Sequence, residues 1–297
     1  MSRPASDPGI QTVPCSRVSP AGVDRSNDAI VVEEPLELRV HGVACATLMR
    51  TPGSDRHLAL GFYLTEGWIE SIEQVGSLAL CARSARLRTR DDAPGSIDEN
   101  VVDLIPAQGV VLRTPDFEQI RRTPAVSSCG VCGKRTIEEV FALTPWRSSE
   151  GAASAARSKT GFPRDVVATA PDRLRVGQRL FEATGALHAA AIFDSGGRIL
   201  TVEEDVGRHN AVDKVVGWSL LAGIVPLGGH GLVVSGRVSF EIVQKAHRAG
   251  LELIAAVSGV SSLAVELAER AGITLCGFVR GSALTVYAHG DRLRGSE

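Results

Sequence analysis

The sequence has no apolar run long enough to cross a membrane. A spanning helix needs roughly 20 consecutive apolar residues, and no segment of the 297-residue chain approaches that length. The opening segment MSRPASDPGIQTVPCSRVSPAG also lacks the apolar centre of a signal peptide. We therefore expect a cytoplasmic protein with no membrane partner.

The chain also has little net charge of either sign. It has 32 Lys and Arg against 34 Asp and Glu residues, a formal net charge of −2, with 44% hydrophobic residues. This composition can bury a full core, but it gives no overall attraction to nucleic acid or to an anionic membrane. We expect no nucleic-acid partner, and any anionic ligand must be held by local arginines.

Cysteine is scarce, and its spacing excludes several classes of protein. Of the six cysteines, only Cys129 and Cys132 are close together, and a reducing cytoplasm disfavours a disulfide framework. A structural zinc needs four ligands, and neither a second Cys-x-x-Cys nor a His-x3-His follows the pair. We therefore expect no structural metal, although a metal site remains an alternative for the pair.

A zinc deaminase would need a different pattern around its ligands. That chemistry uses His-x-Glu or Cys-x-Glu followed by Pro-Cys-x-x-Cys. Two alanines follow His188, and neither Cys45 nor Cys81 has a glutamate two residues later. The general acid/base of such a hydrolase is therefore missing.

The Cys129-Gly130-Val131-Cys132 segment suits sulfur chemistry. A second thiol can resolve or protect what forms on the first, and neighbouring cations favour the reactive thiolate. A thioredoxin-like exchange site is a further alternative, but it requires the pair at a helix start, and here a loop rich in Pro and Ser precedes it. The flanking cations are Arg121, Arg122, Lys134 and Arg135.

The first half of the chain predicts a leader and a β-rich subdomain. Residues 1–27 are rich in Pro, Ser, Asp and Gly without an apolar period, which predicts disorder. Residues 28–150 begin with apolar alternation around a turn at His41-Gly42. A helix over 55–67, with Asp55 as its cap, is expected to follow.

The subdomain ends in the loop of the cysteine pair and a short helix. Glycines and prolines around the pair prevent regular structure until Ile137, Val140 and Phe141 recur at helical spacing. The small, polar segment WRSSEGAASAARSKTG then indicates a domain boundary between about 150 and 165.

Strands and helices alternate over residues 165–292. Apolar strand segments include LHAAAIFD, GLVVS, LELIAAV and ITLCGFV, and they are separated by helical segments such as SFEIVQKAHRAG. This alternation predicts a layered α/β domain behind the smaller β-rich subdomain, an α+β arrangement overall.

Three successive predicted strands of this domain end in similar polar turns. Ser235-Gly236-Arg237, 258–259 (SG) and 280–281 (RG) follow the strands, and open α/β sheets bind ligands beyond the carboxyl ends of their strands. Glycine lets backbone amides approach a phosphate, and arginine can grip it with two bonds. The pattern predicts a pocket for a phosphorylated, nucleotide-like ligand.

A second polar cluster, EDVGRHN at 204–210, leads into a predicted helix. Asp205, Arg208 and His209 are its candidate site residues, and they could equally satisfy a buried backbone turn. His188, alone at a strand start, is more often a structural residue than a catalyst.

The same segments carry a resemblance over about residues 30–290 to the FdhD family, the formate dehydrogenase accessory sulfurtransferases. They are EEPL at 33–36, MRTPG at 49–53, GF at 61–62 with TEG at 65–67, SCGVCG at 128–133, EDVGRHNA at 204–211 with DK at 213–214, SGR at 235–237 with Ser239 and Glu241, and TLCGF at 274–278 with Arg280. The chain departs from the family pattern at Ala186, Val260 and Thr285, which affects the pocket rather than the reaction.

The resemblance implies a sulfur carrier. Cys129, assisted by Cys132, would take sulfane sulfur from a cysteine desulfurase as a persulfide. The acceptor would be the molybdenum cofactor in its bis-molybdopterin guanine dinucleotide form, before insertion into formate dehydrogenase. The family also implies a cytidine-deaminase-like C-terminal fold and a homodimer. Its cofactor-binding segment corresponds to Phe278, Val279, Arg280, Gly281, Ser282 and Ala283.

Overall fold

The computed structural model describes residues 7–81, 100–112 and 161–295. The first half of this part holds six strands, one α-helix and a short 3-10 helix (Ile72–Gln74). The strands are β1 (Ile10–Ser19), β2 (Gly22–Val31), β3 (Glu34–Val40), β4 (Val43–Arg50), β5 (Val75–Cys81) and β6 (Val101–Pro106), and the helix is α1 (Asp55–Thr65).

The second half, from residue 161, alternates helices with strands. The helices are α2 (Arg164–Val176), α3 (Arg179–Thr184), α4 (Arg208–Leu221), α5 (Phe240–Arg248) and α6 (Ser262–Ala271). The strands are β7 (Phe162–Pro163), β8 (His188–Asp194), β9 (Ile199–Asp205), β10 (His230–Val234), β11 (Leu253–Ala256), β12 (Thr274–Arg280), β13 (Ala283–Ala288) and β14 (Leu293–Arg294).

A four-stranded sheet forms the first layer, in the order β4-β3-β6-β5. The turn between β3 and β4 is the predicted one, with positive φ angles of 52° at His41 and 75° at Gly42. Leu36, Leu38 and Val40 alternate along β3 with partly exposed residues and are 0%, 0% and 5% exposed. One face of this sheet is therefore buried, as the apolar alternation predicts.

The six-stranded sheet has the order β13-β12-β11-β10-β8-β9. β10, β11 and β12 are parallel, and the other three strands run antiparallel to their neighbours. Both faces are covered: α2 packs on one face, and α1, α4, α5 and α6 belong to the core on the other. The mixed α/β class predicted from the sequence is confirmed; the cytidine-deaminase-like layering stays a prediction.

One core joins the two sheets. A single cluster of buried apolar side chains includes Leu38 and Leu104 of the small sheet together with Ile192, Leu232 and Ile254 of the large one. The domain boundary predicted at 150–165 lies mostly outside the described residues, as do residues 137–141, where a short helix is predicted.

The disordered leader predicted over 1–27 needs correction, because residues 10–31 form a β-hairpin. β1 and β2 pair from Ile10↔Val31 to Ser19↔Gly22. Most side chains of this ribbon are polar and exposed, so it leaves no apolar period in the sequence. Its backbone hydrogen bonds hold it together instead.

Two helices and a cap also differ from the prediction. α2 and α3 were not expected, because Pro171 stands inside α2 and hides the spacing of Val166, Ala170 and Leu174. Helix α1 begins after Ser54, which occupies the cap position, and Asp55 is its first residue.

No helix in the described ranges is both long and apolar enough to span a membrane.

Candidate functional site

The carboxyl ends of three strands meet at one edge of the large sheet. β10, β11 and β12 are adjacent and parallel, so the three polar turns singled out in the sequence are neighbours. A cavity of about 640 Å³ opens there, with Ser235, Val257, Arg280 and Gly281 on its sheet side. This volume lies within the roughly 300–1,000 Å³ of small-molecule sites.

Helices α2 and α3 form the opposite wall, which sequence reasoning missed. Arg175 of α2, Gln178 of the connection and Phe181 of α3 line the cavity. The Arg175 guanidinium lies over the Phe181 ring, 4.4 Å from its centroid, a cation–π contact. A helical spacing from Val166 to Leu174 is the sequence signal that could have revealed this wall.

The EDVGRHN segment (residues 204–210) holds that wall in place through Glu204. Its two carboxylate oxygens each accept a hydrogen bond at 2.8 Å, from the backbone N–H groups of Leu180 and Phe181. These are orphan donors of the first turn of α3. Gly177 packs against Val202 of β9 so closely that a Cβ would lie 2.7 Å from a side-chain carbon.

His188, at the start of β8, borders both the cavity and the turn after β10. It lines the cavity, and a Cβ on Gly236 would lie 3.2 Å from His188 Nδ1. Burial lowers the pKa of the imidazole, the positive charges of Arg208 and Arg237 act in the same direction, and Asp205 opposes them. The ring is therefore mainly neutral at pH 7.

The segment 278–283 crosses from β12 into the turn before β13. Val279 is fully buried and lines the cavity with Arg280 and Gly281. Phe278 is 50% exposed, has a φ of 50°, and lies against Gly259 at the end of β11. Ser282 and Ala283 are exposed at the turn. Only the middle of the predicted segment therefore faces this cavity.

The carboxylate of Asp205 bonds to groups of the protein itself and does not line the cavity. It is fully buried, and its carboxylate lies 2.8 Å from Lys214 Nζ. It also accepts hydrogen bonds from Thr51 N at 3.2 Å, from Gly207 N at 2.8 Å and from Asn210 Nδ2 at 2.9 Å. The carboxylate holds β4 to the start of α4.

The neighbouring Arg208 and His209 lie beside the same turn. His209 is 5% exposed, with Nε2 3.2 Å from Ser239 Oγ and 3.7 Å from Glu241 Oε2. Arg208 Nε is buried without a hydrogen-bond partner among the described residues. Arg237 is exposed. Neither arginine is among the residues that line the cavity.

The cysteine pair Cys129 and Cys132 lies outside the described residues. Among the thiols that are described, burial raises the pKa of Cys45 to about 11 and that of Cys276 to about 12. Neither is a thiolate near neutral pH, so neither is a candidate sulfur nucleophile. Within the described ranges, no three His, Cys, Asp or Glu side chains cluster closely enough to hold a metal ion.

The fold and the site define a mixed α/β protein with a ligand-sized cavity beyond the carboxyl ends of parallel strands. A crystal structure assigned as a formate dehydrogenase accessory protein from Desulfotalea psychrophila has the same fold. The TM-score is 0.73 at 20% sequence identity, and the match covers 97% of this chain and 100% of that one.

The chain belongs to the FdhD/NarQ family, whose profile matches residues 31–294. Curated relatives named sulfur carrier protein FdhD include one from Nocardia farcinica, 46% identical over 279 residues, with 94% of this chain and 92% of the relative covered. Another, from Mycobacterium tuberculosis, is 44% identical over 266 residues, with 90% and 92% covered.

Proposed function

We propose that this chain is a sulfur carrier that accepts sulfane sulfur as a persulfide on Cys129 and transfers it to the molybdenum cofactor. The supporting observation is membership of the FdhD/NarQ family, together with 44–46% identity over at least 90% of the chain to relatives named sulfur carrier proteins. The chain is thus an accessory sulfurtransferase rather than a metabolic enzyme.

A cysteine desulfurase supplies the sulfur to the Cys129 thiolate. The neighbouring arginines and lysine favour that thiolate, and Cys132 is the second thiol. When the Cys132 thiolate attacks the inner sulfur of the persulfide, a Cys129–Cys132 disulfide forms and the outer sulfur leaves as sulfide. A cellular dithiol then reduces the disulfide before the next cycle.

The acceptor is the bis-molybdopterin guanine dinucleotide form of the cofactor, held beyond the strand ends. The cavity residues fit such an anionic, heterocyclic substrate: Arg280 lies at the rim, and Gly281 has a φ of 59° and leaves its backbone open to approach. Arg237 and Arg280 bind phosphates. Arg208, whose buried Nε has no partner among the described residues, adds positive charge beside them.

The client is formate dehydrogenase, and the carrier acts as a cytoplasmic homodimer. Relatives at 44–46% identity carry the FdhD name. Asp205 and His209 contribute by holding the turn beside the site, since their side chains already bond within the protein.

The experiment is persulfide mapping by mass spectrometry. The reduced protein is incubated with a cysteine desulfurase and L-cysteine, and the intact mass and peptides are recorded. We expect wild type to gain about 32 Da, one sulfur atom, on the Cys129 peptide, because thiolates carry sulfur transfer. The Cys129→Ala variant should gain none, whereas Cys276→Ala, at a buried thiol, should load like wild type.

Absence of sulfur on wild type, with an active desulfurase, would contradict the carrier function. The better alternative would then be a chaperone that holds the cofactor without chemistry. Such a chaperone would still activate formate dehydrogenase after the Cys129→Ala change.

A further inference from the structure

Helices α4 and α5 contact each other at two levels, one helical turn apart. At the first level, His209 Nε2 lies 3.2 Å from Ser239 Oγ and 3.7 Å from Glu241 Oε2. At the second level, Lys245 Nζ lies 2.9 Å from Asp213 Oδ2. In each helix the residues of the two levels are four positions apart, so both levels lie on the sides where the helices face each other.

The first level lies beside the candidate site. Arg208 is the first residue of α4, and Arg237 lies two positions before Ser239, the cap residue of α5. A Cβ on Gly236 would lie 3.2 Å from His188 Nδ1 and 3.8 Å from Arg208 Cβ, and His188 lines the cavity. The relative position of the two helices therefore sets the spacing of the two arginines beside the cavity.

The second level is tied to a third helix, α1. Lys245 Nζ also donates to Thr65 Oγ1 at 3.0 Å, and Thr65 Oγ1 donates to Asp213 Oδ1 at 2.8 Å. Glu66 Oε1 lies 3.5 Å from the same ammonium group. Helix α1 is in direct backbone contact with α4, because the carbonyl oxygen of Asp213 leaves no room for a Cβ on Gly61. The buried pair thus joins three helices.

Stability alone does not require charges at this place. Asp213 is 1% exposed and Lys245 is 2% exposed. Moving two charged groups out of water costs free energy that their attraction only partly returns, and an apolar pair of similar volume is often as stable. A hydrogen-bonded pair, unlike an apolar one, is satisfied at one relative position of the helices that carry it.

We propose that Asp213 and Lys245 are positioning residues for sulfur delivery. By holding α4 against α5, they keep Arg208 and Arg237 at the spacing that the acceptor requires. The inference rests on the proposed function and adds to it two residues that do not line the cavity. It also gives the TEG segment at 65–67, which is equally remote from the cavity lining, a part in delivery.

The test separates sulfur loading from sulfur delivery in the full-length protein. Cys129 is loaded with radioactive sulfur by a cysteine desulfurase, the bis-molybdopterin guanine dinucleotide cofactor is added, and the label in protein and cofactor is followed over time. The double variant Asp213→Leu/Lys245→Met should load like wild type, because loading does not use the acceptor site. It should deliver at least about tenfold more slowly, because a small displacement of binding groups lowers the rate steeply.

Controls separate positioning from stability. The double variant should keep the thermal midpoint of wild type, because an apolar pair replaces the ion pair and Thr65 Oγ1 can still donate to Phe62 O, 3.3 Å away. Arg270→Met, which removes an exposed ion pair with Glu266 on α6, should load and deliver like wild type. The ring nitrogen resonances of His209 should shift in the double variant but not in Arg270→Met, because its contacts with α5 change.

Each outcome decides the inference. Delivery at the wild-type rate, or unchanged His209 resonances, would show that the pair serves stability alone and would overturn it. A lowered thermal midpoint of the double variant would overturn the premise that apolar residues stabilise the fold as well, and poor loading would show a general defect instead of a loss of positioning. If wild type itself loads no sulfur or delivers none, the proposed function fails, and this inference fails with it.

Discussion

At the scale of single residues, buried charges connect elements that are far apart in sequence. Lys245 of α5 lies 2.9 Å from Asp213 of α4 and donates to Thr65 Oγ1 of α1 at 3.0 Å. Thr65 in turn donates to Asp213 at 2.8 Å. Burial would lower the pKa of Lys245, but the negative charges of Asp213 and Glu66 outweigh it and raise that pKa.

Asp213 gives the stability of the protein a defined pH dependence. Burial raises its pKa from 3.8 to about 6, despite the opposing bonds from Lys245 and Thr65. Between these values the folded state holds a proton that the unfolded state has lost, so the free energy of unfolding falls as pH rises. Relative to Asp213→Asn, wild type should lose about 3 kcal/mol over this range, measured by urea unfolding. If the free energies of unfolding of the two proteins changed with pH in parallel, the raised pKa of Asp213 would be refuted.

A second buried charged group, Arg50, gives the MRTPG segment at 49–53 a structural role. Arg50 is 2% exposed and donates to Glu34 Oε2 at 2.9 Å, to Asp55 Oδ2 at 3.1 Å and to Asn100 Oδ1 at 2.8 Å. The arginine thereby ties the ends of β3 and β4 to α1 and to the start of β6. We therefore assign Arg50 a structural role, because these three partners accept hydrogen bonds from different sides of its guanidinium.

At the scale of elements, α1 and α4 cross in direct backbone contact. A Cβ on Gly61 would lie 1.8 Å from the carbonyl oxygen of Asp213, and one on Gly217 would lie 1.8 Å from that of His57. Each helix therefore presents a glycine to the other at the crossing. This crossing joins the β-rich half of the molecule to the half with the cavity.

Alanine at either crossing glycine should destabilise the fold. In an exposed helix, Gly→Ala normally stabilises by about 0.5–1 kcal/mol. Here we expect Gly217→Ala to lower the free energy of unfolding by at least about 3 kcal/mol, because the helices must separate. Gly228→Ala is the control, since a Cβ there meets nothing within 4 Å. Equal urea midpoints for Gly217→Ala and Gly228→Ala would contradict the close backbone contact between α1 and α4.

At the scale of the molecule, the two sheets share one core, and a second apolar cluster lies on the other face of the large sheet. The apolar cluster runs from Leu36 in the small sheet to Ala288 in the large one. Thr51 O accepts a hydrogen bond from Lys214 Nζ at 3.0 Å, so polar contacts cross between the halves as well. The separate subdomains predicted from the sequence are therefore coupled by packing.

We expect the described parts of the chain to unfold in one cooperative transition. Hydrogen exchange measured by mass spectrometry along a urea series should give the same midpoint for peptides covering β3 and β11, because a shared core lets neither sheet keep its burial alone. Two well-separated midpoints would show that the halves fold independently.

The sequence alone predicted many of the local elements, and it predicted an edge of the large sheet as the place of the site. Apolar alternation and the His41-Gly42 turn specify the β3–β4 hairpin, and helical spacing specifies α1 and α4. The polar turns at 235–237, 258–259 and 280–281 predict a site at one sheet edge, and the structure shows that the three parallel strands before them end on the same side. Each of these signals is local, since every turn, alternation or helical spacing is read from residues a few positions apart.

Only the tertiary structure decided which polar side chains near the site bond within the protein and which line the cavity. Asp205 was predicted as a candidate site residue, but its carboxylate accepts a hydrogen bond from the backbone N–H of Thr51, 154 positions away, which gives it a structural role. The role of Glu204 carried no signal, because its carboxylate accepts hydrogen bonds from Leu180 and Phe181, 24 and 23 positions earlier in the chain. Such roles depend on contacts between residues far apart in the chain, which composition and periodicity do not encode.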